Sequence, residues 1–467
     1  MEDRVMSQAN RPLTRLWGKS LALMGVLAMV LALNFLLSRK PTPIQAIAQR
    51  DDSGNSPSAA KLASVRNWVY QLQGVNGGSL NLQPLAAYPA DLAVIDYSRD
   101  GSEGGEFSQA EIANLQRSGK LVLSYMAIGT ADTDRFYDQN SGDQDPFSHP
   151  EGRQLSTTEN SDFPGTFYLH YWQPPWQATL FGDSPLPNWM QTNQHPENYL
   201  SRILNTGFDG VYLDDIDAYQ QFNAKGDSTR SSAALDMVLL IQDISRWAKA
   251  YKADFLIFVQ NGEAIFQDAL DELDDNGDQH LDSTDLLIGR QNGNLFLDLN
   301  QNSRPDPGER LLNQLDNDQN GRLSQDEIEA AYFGSIDGLG VEDFFFKGNQ
   351  AEDNPFISLI PAQDTRIDDF KFTAENYLHY AWWQIPIFSV EYLSPTNTTG
   401  LEQYQQVLSD QFKFMNPGIT TGSKAPAFSE AQLQQLSLRL FASPSRELDR
   451  LTFPSSQTDI DSGDGSL

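Results

Sequence analysis

The chain has 467 residues, with 63 acidic against 32 basic side chains and a formal net charge of −31 at pH 7. That balance argues against a nucleic-acid partner, whose phosphates recruit Lys and Arg. Cysteine is absent, which rules out a disulfide framework and thiol chemistry.

Residues 1–48 combine a basic start, "RPLTRLWGKS", with an apolar run from Leu21 to Leu37. The pattern is that of an export signal or a single membrane anchor, and a buried core helix is the alternative. "AIAQ" (Ala46 to Gln49) offers a small-x-small cleavage site. The rest of the chain is therefore expected outside the cytoplasm: secreted, periplasmic, or attached to the membrane by its N-terminal segment. Residues 49–64, including "RDDSGNSPSAAK", read as a flexible linker. The globular part is expected over 65–442 and a polar, disordered tail over 443–467.

Eight short apolar runs then recur: "NWVYQLQ", "LAVIDYS" (92–98), "LVLSYMAIG" (121–129), "TFYLHYW" (166–172), "GVYLDD" (210–215), "FLIFVQNG" (255–262), "IDGLGVED" (336–343) and "IFSVEYLS" (387–394). Several are nearly continuous, as in parallel sheets covered on both faces. Helical stretches lie between them, such as 108–120, which opens with the capping-box pair Ser108 and Glu111. The pattern predicts an α/β fold, a (β/α)8 TIM barrel, with a doubly wound sheet as the alternative.

The interval between the sixth and seventh of these strands is too long for one βα unit. Its excess, residues 268–334, is strongly acidic and predicts an EF-hand-like insertion. "DNDQNGRLSQDE" (Asp316 to Glu327) fits an EF-hand loop position by position. Asp316, Asp318 and Asn320 supply side chains, Gly321 the sharp turn, Arg322 its carbonyl and Glu327 the closing bidentate carboxylate. A second loop starts at Asp274, with Asn276, Asp278, Asp282 and Asp285, though Gln279 replaces the turn glycine. A third runs from Asp298 through Asn300, Asn302 and Asp306 to Glu309, with Ser303 at the turn position. Structural Ca²⁺ is the expected ligand, with an acidic, metal-free turn as the alternative. No cofactor is expected for the chemistry itself.

Strand alternation then sorts the acids. In "GVYLDD", Val211 and Leu213 face the helices, while Gly210, Tyr212 and Asp214 face the lumen. In "GLGVED", Leu339 and Val341 face out, while Gly338, Gly340 and Glu342 face in. Two strands thus bring one carboxylate each to the same rim, the pair that glycoside hydrolysis needs. Asp209 reads as structural, and Asp215 points off the lumen. Gln71, Asp96, Tyr125, Trp172, Asp217, Asn261 and Glu263 are candidate substrate-binding groups, with Glu391, Trp176, Trp382 and Trp383 as further strand-end or stacking candidates.

These motifs, "VIDYS", "GKLVLSYMAIGTAD", "FYLHYWQPPW", "GFDGVYLDDIDAY", "VQNGE" and "IDGLGVED" in that order, resemble glycoside hydrolase family 114, the endo-α-1,4-polygalactosaminidases. The resemblance covers roughly Trp68 to Leu393, interrupted by the acidic insertion. It implies hydrolysis of an α-1,4-linked galactosamine polymer on a (β/α)8 barrel. The catalytic Asp then falls on Asp214 and the Glu on Glu342, with Glu263 the weaker choice. Thr130 departs from the pattern, since the family usually carries Glu after "IG". An anionic enzyme suits a cationic polymer. A non-catalytic, calcium-dependent glycan-binding or envelope protein is the competing expectation.

Overall fold

The computed structural model describes residues 57–443 apart from several segments, the longer being 138–154, 183–196, 223–229, 347–352, 357–376 and 410–439. The expected signal or anchor, the tail beyond 443 and Trp382 lie outside the described residues. Among the described residues no helix is long and apolar enough to cross a membrane.

Eight strands form one parallel sheet in chain order. They are β1 (Trp68–Tyr70), β2 (Leu92–Ile95), β3 (Leu121–Ala127), β4 (Gly210–Asp214), β5 (Leu256–Gln260), β6 (Gly338–Glu342), β7 (Ile387–Val390) and β8 (Leu440–Ser443). β8 returns beside β1, so the sheet closes as a (β/α)8 barrel.

Alternation along these strands produces two cores. Trp68, Tyr70, Val94, Leu123, Tyr212, Leu256, Phe258 and Phe388 pack together in the lumen. Val69, Ala93, Val122, Val211, Leu213, Ile257, Val259, Leu339 and Ile387 pack outward against the helices. The lumen is filled with rings: Trp68 meets Phe388 at 5.5 Å, and Phe388 meets Phe258 at 4.7 Å. Gly340 is required by this filling, because a Cβ there would stand 1.7 Å from the Tyr212 hydroxyl.

Seven of the eight expected strands are barrel strands. The exception is 166–172. Thr166–Leu169 is a strand, but it joins Thr130–Asp132 and Ser156–Glu159 in a separate antiparallel sheet. Its burial alternates, with Phe167 and Leu169 inside and Thr166 and Tyr168 half-buried, as suits a sheet with one wet face. The eighth barrel strand is instead β8, and the acidic insertion lies between β5 and β6, one strand earlier than the sequence count.

The expected linker is also not all linker. Pro57–Leu62 forms helix α1 across the amino ends of the strands. Ser58 Oγ donates to Asp337 at 2.5 Å, and Lys61 pairs with Asp209 at 3.0 Å and Asp254 at 3.2 Å. Leu62 and Val65 complete the lumen cluster from below.

Helix α2 (Gln109–Arg117) has the expected capping box of Ser108 and Glu111. The long helix α3 (Ala233–Tyr251) connects β4 to β5. After β5, α4 (Ile265–Asp271) leads into the insertion and α5 (Gln325–Phe333) leads out to β6. His280–Leu281 pairs antiparallel with Leu323–Ser324, joining the first acidic loop to the last. Arg310 binds Asp243 at 2.6 Å and Arg246 binds Gln314 at 2.8 Å, so the insertion sits on α3 at the barrel flank. A role as a wall of the mouth, suggested by its place after "QNGE", does not follow from these contacts.

Candidate active site

Asp214 is the last residue of β4 and Glu342 the last of β6, both on the lumen parity. Between them β5 ends in Gln260. Three adjacent strands then turn the same way: Asp215 (φ 57°), Asn261 (φ 56°) and Asp343 (φ 52°) are all left-handed. Asn and Asp tolerate that region better than other side chains, and such strain gathers at functional sites.

Glu342 is held by three donors. Its Oε2 accepts from Gln260 Nε2 at 2.8 Å and Asn261 Nδ2 at 3.2 Å, and its Oε1 accepts from the Tyr392 hydroxyl. Asn261 also accepts the Glu342 N–H at 3.1 Å, clamping backbone and side chain together. Asp214 accepts the Asp215 N–H at 2.8 Å and a hydrogen bond from Tyr125. Burial, and next the charge of Glu342, push the Asp214 carboxyl up to about 7. Burial likewise raises Asp217 to about 6, with Glu342 and Glu263 adding to the push. Tyr70, Tyr125 and Tyr212 line the same space, and burial reinforced by Asp214 or Glu342 keeps their phenols protonated.

Asp96 and Asp132 share Arg135, at 2.6 and 3.1 Å, beside Tyr125. Asp96 thus reaches the mouth, though its charge is already paired. Glu263 accepts from the Tyr377 hydroxyl at 3.0 Å. The structure therefore brings Asp96, Tyr125, Asp214, Asp217, Asn261, Glu263 and Glu342 to one end of the barrel.

Other candidates are placed elsewhere. Gln71 shares the outward parity of Val69, and its amide donates to its own loop at Gln73 O, 2.6 Å away. Trp172 has the Arg230 guanidinium 4.8 Å over its ring, and His170 and Phe222 close around it. Trp176 is buried, donating to Ile128 O, and Trp383 stacks on Phe333. Glu391 is fully buried below the mouth. It accepts the N–H groups of Phe345 and Phe346, and burial pushes it up to about 8. A recess lined by Arg66, Tyr88, Asp91 and Lys120 opens at the opposite end, near the starts of β1 to β3.

Gln260, Tyr392 and Tyr70 were missed in the sequence, and Tyr212 was set in the lumen without a role at the site. The signal for them was parity: Phe258 and Gln260, and Phe388, Val390 and Tyr392, continue the lumen face past the strand end.

In the insertion, Asp316, Asp318 and Glu327 place carboxylate oxygens within 4.8 Å of one another. The Arg322 side chain leaves its own loop and binds Asp282 and Asp278 of the first loop, at 2.5 and 3.0 Å. In the first loop, Asp274 accepts N–H groups from Gly277, Asp278 and Gln279, and Asn276 donates to Asp285. In the middle loop, Asp298 accepts from Asn302 and Ser303, Asn300 donates to Asp306, and Glu309 accepts the Leu299 N–H. The middle loop has Pro305 at the position through which the other two pair.

An uncharacterized protein of Thermotoga maritima is 32% identical over 199 residues, covering 43% of this chain and 53% of its own length. One from Methanocaldococcus jannaschii is 25% identical over 371 residues, 77% of this chain and 93% of that protein. The chain thus spans about half the length of the first relative and nearly all of the second. The glycoside hydrolase domain of PelA from Pseudomonas aeruginosa superposes with a TM-score of 0.42 at 13% identity, over 74% of this chain and 92% of that domain. That likeness is too loose to carry residue roles across. Residues 46–275 match the sequence model of Glycoside-hydrolase family GH114, ending where the first acidic loop begins. The match includes Asp214, while Glu342 stands on geometry alone. Residues 46–275, which hold β1 to β5 of the barrel, are thus similar to that family's sequence model.

Proposed function

We propose that the protein is an exported glycosidase that cleaves an amino-sugar polysaccharide, an α-1,4-linked galactosamine polymer. The supporting observation is the pair Asp214 and Glu342 at the ends of β4 and β6, with one carboxyl raised to about 7. Asp214 acts as nucleophile or base and Glu342 as general acid/base. Below about pH 7 the resting site holds a proton on Asp214. A cationic sugar entering among Asp214, Asp217 and Glu263 favours the Asp214 anion, and the proton passes to Glu342, which then protonates the leaving oxygen. Among the described residues, none of Asp214, Asp217 or Glu342 has a basic partner, so this acidity is open to a cationic ligand. The test is product analysis on deacetylated polygalactosamine with Asp214→Asn and Glu342→Gln. Release of sugar at the wild-type rate by either variant refutes the assignment. A wild type that binds the polymer without cutting it makes the protein a glycan-binding module.

A structural role for Ca²⁺ in the insertion belongs to the same proposal. Supporting it are the Asp316, Asp318 and Glu327 cluster and the Leu281–Leu323 pairing between the first and last loops. A melting temperature unmoved by excess chelator would count against it.

A further inference from the structure

We propose that Thr130 and Asp215 form a positioning pair, which turns the chain so that a backbone N–H is aimed at the Asp214 carboxylate. The inference rests on the glycosidase reading for its kinetic consequence and on the geometry for the device itself.

The end of β3 and the end of β4 are joined residue by residue. Ala127 is in register with Asp214, and the Ile128 N–H donates to Asp214 O at 3.1 Å. Gly129 admits the next carbonyl: a Cβ there would stand 2.1 Å from Asp215 O and 2.5 Å from the Ala218 side chain. The Thr130 hydroxyl then donates to Asp215 Oδ2. Three consecutive residues of one strand end thus grip two of the other.

What they grip is an unusual conformation. Asp215 has φ 57° and ψ 31°, a left-handed residue carrying a side chain. In that conformation its N–H points back onto Asp214 Oδ1 at 2.8 Å. The tilt of the 214–215 peptide plane is shared by ψ of Asp214 and φ of Asp215. With the flanking Cα atoms held by these contacts, a right-handed or extended residue 215 would tip the N–H off Asp214 and leave it Tyr125 as its donor. Glycine would adopt the turn more easily but would give Thr130 nothing to hold.

The Asp215 carboxyl is turned off the lumen, so it does not meet the reacting atoms. It faces Asp214, Asp217, Asp132 and Thr130, and burial followed by the Asp214 charge raises it well above the usual carboxylate range. An uncharged carboxyl works here as a hydrogen-bond acceptor, and an amide can replace it. This separates the two neighbouring aspartates: one is needed for its charge, the other for its shape. The groups facing Asp214 are Glu342, Asp217, Asp215, Tyr125, Tyr70 and Tyr212. Arg135, just past the strand Thr130–Asp132, is occupied by Asp96 and Asp132.

The experiment compares Thr130→Val, Thr130→Ser and Asp215→Asn on deacetylated polygalactosamine, with the Asp214 carboxyl titrated by carbon-13 NMR in each. Thr130→Val keeps the shape and loses the donor. It is expected to lower kcat about tenfold or more, with KM within about twofold, because misaiming a reacting group costs rate rather than affinity. The Asp214 titration should move upward as its N–H donor is lost. Thr130→Ser should restore both, and Asp215→Asn should keep kcat within about threefold. The proposal is overturned if Asp215→Asn is as inactive as Asp214→Asn, if it raises KM alone, or if Thr130→Val leaves the Asp214 titration in place. A wild type inert on the polymer sinks the glycosidase reading by itself, and the NMR titration still decides the positioning pair.

Discussion

β4 and β6 each carry an acid at both ends, in the matching stretches "FDGVYLD" and "IDGLGVE". The two ends live in opposite electrostatic worlds. At the floor, Asp209 accepts the Val122 N–H and Gln116 at 3.0 Å and pairs with Lys61 at 3.0 Å. Asp337 accepts the Ile257 N–H at 2.9 Å and pairs with Lys249 at 3.0 Å. Each therefore stitches its strand to the preceding one while a lysine balances its charge. At the mouth, Asp214 and Glu342 face each other and Asp217 with hydrogen-bond donors and, among the described residues, no basic partner of their own. On the proposed function, an acid at each end of one strand serves stability in one place and chemistry in the other, a division typical of barrels.

The sharpest way to break this contrast is substitution at both ends. Asp214→Asn and Glu342→Gln should each cut kcat by about a thousandfold or more while the fold melts no lower than wild type. Asp209→Asn and Asp337→Asn should do the reverse. Each should cost about 1–3 kcal/mol in urea unfolding, because a buried carboxylate that accepts a strand N–H loses the charge its half-buried lysine balances, with activity per folded molecule retained. A floor variant that folds normally and loses activity would erase the distinction.

Proton linkage gives a second test. The Asp214 pKa is higher folded than unfolded, so its contribution to stability declines as pH rises from the ordinary carboxylate range through about 7. Asp214→Asn should therefore unfold about 1–2 kcal/mol later than wild type at pH 8, and the gap should close towards pH 4. Thermal melts across that range check it, and a gap that widens in acid contradicts it. In kinetics, kcat/KM should fall as pH rises through about 7, because the proton that Asp214 passes to Glu342 is lost there. A rise there would contradict that transfer and leave Asp214 acting as an anion throughout.

Metal removal is expected to have a smaller effect, felt at the flank more than at the mouth. Chelation should lower the melting temperature by several degrees, and Glu327→Gln should abolish that sensitivity. The smallest effect is expected at Trp172. Trp172→Phe should change KM by less than about twofold, since Arg230 and its aromatic neighbours already cover the ring.

Much of the mouth was legible in the sequence because a β-strand has a period of two. Once Val211 and Leu213 were set against the helices, Asp214 had to face the lumen, and the same step placed Glu342. The step was not applied to β5 or carried past the end of β7, so Gln260 and Tyr392 escaped it while Gln71 and Glu391 were considered despite their outward parity. "TFYLHYW" misled for a different reason. Its aromatics suit any sheet, and only its alternation distinguished an antiparallel excursion from a barrel strand covered on both faces. The left-handed turns at Asp215, Asn261 and Asp343 left a faint trace, an Asp or Asn directly after each strand end, which composition alone could not separate from acidity.

Helix α1 gives the barrel a polarity beyond that of its strands. Pro57 sits at the floor, with Leu62 and Val65 corking the lumen just beyond it. Pro57 thus lies at the pole antipodal to Asp214 and Glu342, and trimming the chain to Trp68 would uncork the lumen.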